Sequence, residues 1–343
     1  MSKQHKHHHH HEHRVTPDSE APPLVDAERR QLIAGLGLLP LALMVQGVGK
    51  AWALSSRVTI ESDGDYRKIM SNAIPDHPTG QFPNAHNPNS ISEQDISFRA
   101  PLRPKRSGKF ELVRWWNFGV AVNGVPFEPF TAEFWNGNRD WNYDAVSGFV
   151  DLGLDDNDAH VQPGGKYHYH GWPKGLIRAW SPNSHSPIIG WAADGFPIYA
   201  AYGYADPKDP NSGIKAMTSG WRVREGARNG GPGGNYDGRF FEDWEWRPGL
   251  GSLDQANGRE TITPEFPDGT YAYFLTEQWP IVPRYFAGSP DSSFRVGPAG
   301  GPPGGGAGGH RRPPPGGGFG PPPGGGMHRP PPPGGRPPWP PPN

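Results

Sequence analysis

The sequence predicts a mostly-β body of short strands and long ordered loops, and three observations predict it. First, Val120-Ala121-Val122 and Val125-Pro126-Phe127 flank Asn123-Gly124. That pair suits a two-residue type I′ hairpin, because both turn positions take positive φ. Second, short β-rich runs at 110–116, 165–170, 188–191, 196–202, 240–246 and 270–276 are separated by turn clusters. Asn136-Gly137-Asn138 and the loop 226–238 are examples. Third, no segment of the body carries a helical stripe longer than about three turns.

Composition narrows the chemistry. The chain has 343 residues with 34% apolar side chains, and its 49 Gly and 44 Pro crowd toward one end. A net charge of -1 argues against a general nucleic-acid binder. There is no Cys, which excludes disulfides, thiolate zinc sites, iron–sulfur clusters and cysteine nucleophiles together. A metal would have to sit on His, Asp, Glu, Tyr or Met. Thirteen Trp point to a folded, aromatic-packed body.

Four segments follow in order. Residues 1–20 are a His-rich leader, with His7 to His11 flanked by His5 and His13. Its composition could chelate nickel, zinc or copper, with an expression tag or a disordered natural leader as the competing reading, and it is set aside in reading the fold. Residues 21–53 read as an export signal. Arg29 and Arg30 precede a 17-residue apolar stretch, 32–48, that is short and Gly-broken for a spanning helix. Ala51 and Ala53 supply the small residues that a signal peptidase reads. Glu28-Arg29-Arg30-Gln31-Leu32-Ile33 resembles a twin-arginine signal, with Leu32 where such signals usually carry Phe. That resemblance implies export of a folded protein by the twin-arginine machinery, a periplasmic or secreted location, and no membrane attachment after cleavage. Residues 55–297 form the body. Residues 298–343 form a Pro/Gly-rich tail with 18 Pro, 16 Gly and no acidic residue. Such a tail is expected to be disordered, either a spacer or a ligand for an unspecified polyproline-reading partner.

The densest chemistry lies between 151 and 199. The body has six His, and His160, His168, His170 and His185 fall within 26 positions. On a strand, residues i and i+2 share a face, with Cα atoms about 6.5–7 Å apart. His168 and His170 can therefore converge on one ion, while Tyr167 and Tyr169 face the other way as nearby hydroxyl donors. Gly164-Gly165 permits a tight turn that returns His160 to the pair. Three neutral imidazoles suit copper, zinc, iron or nickel. A satisfied Tyr/His aromatic face is the competing reading. His185, after a turn-rich stretch, is a fourth candidate. Asp155, Asp156 and Asp158, with Asp151 before them, could form an oxygen cage for calcium. EF-hand spacing is absent, and a solvated acidic loop competes with that reading. No Gly-x-Ser-x-Gly elbow occurs in the body, which argues against a serine hydrolase. The glycines at 230–234 lack the Lys-Ser/Thr and the strand-to-helix setting of a phosphate loop.

Tyr167-His168-Tyr169-His170 resembles the motif that names the YHYH-domain family. The run from His185-Ser186-Pro187 through Asp194-Gly195-Phe196-Pro197-Ile198-Tyr199 is similar to a second family block. Later blocks are similar at 241–246, 253–259, 269–273 and 283–288, so the resemblance covers roughly 110–297 in consistent order. His160 matches the His that precedes the tetrad in the family. The resemblance implies a domain and not a reaction. Family members carry Cys near the positions of Asn157, Ala256 and Tyr285, so packing replaces those disulfides here. Asp194 becomes a second-tier candidate, either a ligand, an acceptor for a ligand's Nδ1–H, or a turn cap.

The leading expectation is an exported protein with one transition-metal ion on His160, His168 and His170, with His185 and Asp194 as second-tier members. Copper is favoured over zinc, because an all-imidazole site in an oxidising compartment follows the Irving–Williams order. As an enzyme it would be a copper-dependent oxidoreductase or a metal-assisted hydrolase. The alternative is a non-enzymatic carbohydrate- or surface-binding module with a platform drawn from Trp115, Trp116, Trp135, Trp141, Trp172 and Trp180. A third reading gives the tail a role in assembly.

Overall fold

The computed structural model describes residues 54–296. The leader, the signal residues Arg29, Arg30, Ala51 and Ala53, and the tail 298–343 lie outside the described residues. Strands there are short, and loops carry much of the chain. In order they are β1 (Val58–Asp63), β2 (Tyr66–Ser71), β3 (Ile96–Pro101), β4 (Arg106–Leu112), β5 (Gly119–Ala121) and β6 (Pro126–Phe127). Next come β7 (Ala159–Val161), β8 (Tyr167–Tyr169), β9 (Ile188–Ala192), β10 (Pro197–Tyr199), β11 (Tyr202–Tyr204) and β12 (Ile214–Ala216). The last are β13 (Trp221–Val223), β14 (Trp244–Trp246), β15 (Gly258–Thr261), β16 (Thr270–Phe274) and β17 (Tyr285–Gly288). Helix is limited to three one-turn 3-10 pieces among the described residues.

An eight-stranded sheet, ordered β15-β16-β10-β9-β5-β6-β8-β7, runs through the core. Every residue of β5, β8 and β10 is buried, which explains their apolar and aromatic composition without alternation to charge. Both faces are filled by aromatic rings. Phe118 meets Tyr273 edge-on at 4.9 Å and stacks with Phe286 at 5.6 Å. A separate antiparallel sheet, β1-β2-β3, sits outside these strands, and β17 pairs with β4.

The β5–β6 hairpin forms where Asn123-Gly124 places it, but its turn differs. Gly124 alone has positive φ, at 82°. Gly124 N donates to Ala121 O at 2.8 Å and Ala121 N to Val125 O at 2.9 Å. This is a three-residue loop closed by a left-handed Gly, not a type I′ turn. Asn123 is pulled out of the left-handed region by its side chain, whose Nδ2 donates to Asp76 Oδ1 and Tyr169 Oη, both at 3.0 Å. The run 110–116 also ends early. β4 stops at Leu112, and Trp116 N turns back onto Val113 O at 2.9 Å.

None of the six Trp of the expected platform is fully exposed. Trp116 and Trp172 are buried, and Trp115, Trp135, Trp141 and Trp180 are half-buried. Trp180 lies 4.7 Å from the Tyr202 ring, while Trp115 faces a cleft.

Candidate metal centre

The centre starts from one hairpin. β7 and β8 pair antiparallel with His160 opposite His168. The connection turns within four residues, with Gln162 N on Lys166 O at 3.1 Å and Gly165 N on Gln162 O at 2.9 Å. Gly164 and Gly165 have φ of +96° and +86°. A Cβ on Gly165 would also stand 1.9 Å from Ser92 Oγ, so only Gly fits. Alternation then puts His168 and His170 on the His160 face and sends Tyr167 and Tyr169 to the other. His170 follows β8 directly and is held in line by its N–H on Asp158 O at 2.8 Å.

The three Nε2 atoms meet. His168 Nε2 lies 3.0 Å from His170 Nε2, which lies 3.1 Å from His160 Nε2. His160 Nδ1 bonds Leu152 O at 2.9 Å, and His168 Nδ1 bonds Lys166 O at 3.2 Å. A carbonyl can only accept, so both Nδ1 atoms carry protons and both Nε2 atoms present lone pairs. His170 has at most one proton to place between them. Its Nδ1 is buried without a partner. Burial, and then the neighbouring imidazoles, push the pKa of His168 and of His170 well below the usual 6.5. With both carbonyl-bound rings donating from Nδ1, the convergent Nε2 atoms lack a cation. Metal–nitrogen bonds of 2.0–2.1 Å at the tetrahedral angle would set the nitrogens about 3.3–3.4 Å apart. The two gaps to His170 Nε2 need to open by only a few tenths of an ångström, and all three ligand atoms lie within 4.8 Å of one another. These three form the only group of His, Asp or Glu suited to a metal among the described residues.

All three imidazoles line a cleft of about 350 Å³. Glu128 lines it too. Glu128 follows β6, whose parallel pairing sets Phe127 beside Tyr169, and Glu128 N donates to Tyr169 O at 2.9 Å. Glu128 Oε2 lies 3.2 Å from Lys166 Nζ and 4.0 Å from His168 Nε2. Sequence reasoning missed this carboxylate. The signal was the alternation itself, since the residue after buried Phe127 must face the other side of the sheet.

The remaining predicted residues do not join the centre. Tyr167 and Tyr169 act elsewhere as donors. The Tyr167 hydroxyl donates to Asp155 Oδ2 at 2.7 Å. His77 Nδ1 is tied to Pro78 O, so its Nε2 accepts the Tyr169 hydroxyl at 2.6 Å. The calcium cage also fails among the described residues. Asp155 already accepts Gly80 N at 2.9 Å and Asn157 N at 2.8 Å besides Tyr167, and Asp158 Oδ2 accepts Trp172 N at 2.9 Å. These carboxylates bind turns, and Asp156 is exposed. His185 is packed among Tyr199, Tyr204 and Phe274, with Nδ1 on Ser186 O at 2.8 Å.

Asp194 is fully buried at the β9–β10 turn, where Oδ2 accepts the Tyr273 hydroxyl at 2.5 Å and Gly288 N at 2.8 Å. It ties that turn to β16 and β17 rather than to the His cluster. Burial outweighs those bonds and pushes its pKa up to about 6, against 3.8 ordinarily. The folded carboxyl thus keeps a proton that the unfolded one releases. Its stabilising contribution is full below pH 3.8 and is lost as pH rises through about 6. Asp194→Asn cannot ionise, so its urea midpoint should match wild type at about pH 3, and its stability should exceed wild type by about 2–3 kcal/mol at pH 7.5. Parallel midpoints at both pH values would refute this.

A family model described as YHYH protein matches residues 97–288, from β3 to the end of β17, and so contains the triad and Glu128. No curated protein and no solved structure matches the chain.

Proposed function

The chain belongs to the YHYH protein family, and on that premise we propose that it is an exported protein holding one transition-metal ion on His160, His168 and His170. One observation carries the metal reading. Three Nε2 atoms converge within 3.0–3.1 Å contacts while two of the Nδ1 atoms are committed to carbonyls. Such an arrangement is short of one cation. Copper stands ahead of zinc, since divalent affinity on imidazole nitrogens peaks at copper. Export rests on the Arg29-Arg30 pattern and on Ala51 and Ala53. Among the described residues no helix is long and apolar enough to cross a membrane.

The test is metal content. The leader would bind metal regardless, so the full chain carries Asn at His5, His7 to His11 and His13. About one ion per chain should remain after dialysis, and a folded His168→Ala/His170→Ala variant should retain none. Absence of metal after loading with copper or zinc sinks the reading.

A further inference from the structure

We propose that the centre is hydrolytic, with Glu128 taking a proton from a water held on the open side of the triad, and with an uncharged carboxylic ester as substrate. The inference rests on the metal reading above. At 4.0 Å from His168 Nε2, Glu128 Oε2 lies beyond the spacing of about 3.3 Å between the ligand atoms of a four-coordinate centre. It is close enough to hydrogen-bond a water in the fourth position. Lys166 keeps it there. Both side chains are nearly buried, at 10% and 14% exposure, and the pair is 3.2 Å apart. That bond uses Oε2, and Oε1 makes no hydrogen bond to a described residue. A carboxylate fixed just outside a ligand set, in a cleft, meets the geometric requirement for a general base.

The cleft also selects its substrate. Trp115, Phe130 and Phe134 line it with aromatic surface. The cations at hand are already paired. Arg114 is bound to Glu242 at 2.9 Å and to Arg139 O at 2.9 Å, Lys166 to Glu128, and His86 faces Asp151 at 3.3 Å. Glu133 adds a further carboxylate to the lining. Apart from the ion itself, no unpaired Lys or Arg lines the cleft to share a phosphate's charge, whereas an ester with an apolar group fits a volume of about 350 Å³.

The step balances with water as the only co-reactant. The water's O–H bond breaks and its proton passes to the Glu128 carboxylate. The oxygen bonds to the ester carbonyl carbon, the bond from that carbon to the alcohol oxygen breaks, and the departing oxygen recovers the proton from Glu128. Acid and alcohol leave.

Zinc is the probe ion, because it has no redox chemistry and any turnover is then hydrolytic. The full chain with its leader histidines replaced by Asn is loaded with zinc and given p-nitrophenyl acetate. It should hydrolyse the ester faster than the metal-free chain and faster than the same concentration of free zinc. Glu128→Gln should keep its zinc and lose roughly 10²–10⁴-fold in kcat. Glu128→Gln/Lys166→Met, which removes both charges, guards against misfolding from an unpaired Lys166 and should behave alike. Zinc lost with Glu128→Gln would make Glu128 a ligand and overturn the proposal. An unchanged rate, or a zinc-loaded chain no faster than the metal-free one, would overturn it while leaving the metal reading intact. Failure of the parent chain to bind zinc or copper would instead bring down the metal reading itself, and the proposal with it.

Discussion

Arg284→Met should cost the protein about 3–5 kcal/mol of stability, read as a large drop in the urea midpoint. Arg284 Nη2 and Asp144 Oδ2 are 2.5 Å apart, with side chains 2% and 1% exposed. Trp279 Nε1 donates to the same oxygen at 2.8 Å, and Val146 N to the other at 3.1 Å. The guanidinium lies 5.3 Å from the ring centres of both Phe130 and Trp279. Two charges taken from water tolerate that burial only together. Without the guanidinium, two neutral N–H donors are left to compensate a buried carboxylate. The pair also joins residues 140 positions apart, pinning the loop that carries Asp144 to the residue just before β17. A double variant, Asp144→Asn/Arg284→Met, should recover much of the loss because no lone charge remains. If the double change costs the sum of the two single ones, the pair is not coupled and the argument fails.

Legibility followed sequence separation. The β7–β8 hairpin was readable because its code is local. Tyr167-His168-Tyr169-His170 alternates at the strand period, and Gly164-Gly165 marks the turn that sets His160 opposite His168. Asn123-Gly124 located the β5–β6 hairpin for the same reason. Its turn type was not readable, since the Asn123 side chain is claimed by Asp76 and Tyr169, far away in sequence. Glu128 was hidden by topology, because β6 is two residues long and its parallel neighbour β8 lies some 40 positions on. Asp194 carried the right chemistry for a second-tier ligand, but its hydroxyl partner is Tyr273, 79 positions away. The β1-β2-β3 sheet passed unread although β3 alternates, with Phe98 and Ala100 buried between exposed Ser97 and Arg99. The turn signal was Asp63-Gly64-Asp65 between β1 and β2, where Gly64 has φ of +60°, but the flanking strands are polar and weigh little against the aromatic runs of the core.

Single substitutions should rank the ligands. Binding free energies of about 10–16 kcal/mol for four-ligand zinc sites amount to about 3 kcal/mol per ligand, so His160→Ala and His168→Ala should each weaken binding roughly 10²–10³-fold. His170→Ala should weaken it least of the three. The other two rings are oriented by carbonyls on Nδ1, at 2.9 and 3.2 Å, whereas His170 Nδ1 has no partner. An outer partner of this kind contributes about 10- to 100-fold in affinity by fixing ring and tautomer. His185→Ala should leave affinity unchanged, because that ring is spent on Ser186 O and on the packing of Tyr199 and Tyr204. Competition against a chelator, in the full chain with its leader histidines replaced by Asn, reads all four. A His185 variant as weak as the other three would place the ion elsewhere. A His168 variant at wild-type affinity would reduce the converging imidazoles to a packing motif. A neutral Tyr/His cluster of that kind would have to hold three ring nitrogens in 3.0–3.1 Å contacts with at most one proton among them, and it is that shortage which makes the cation the better account.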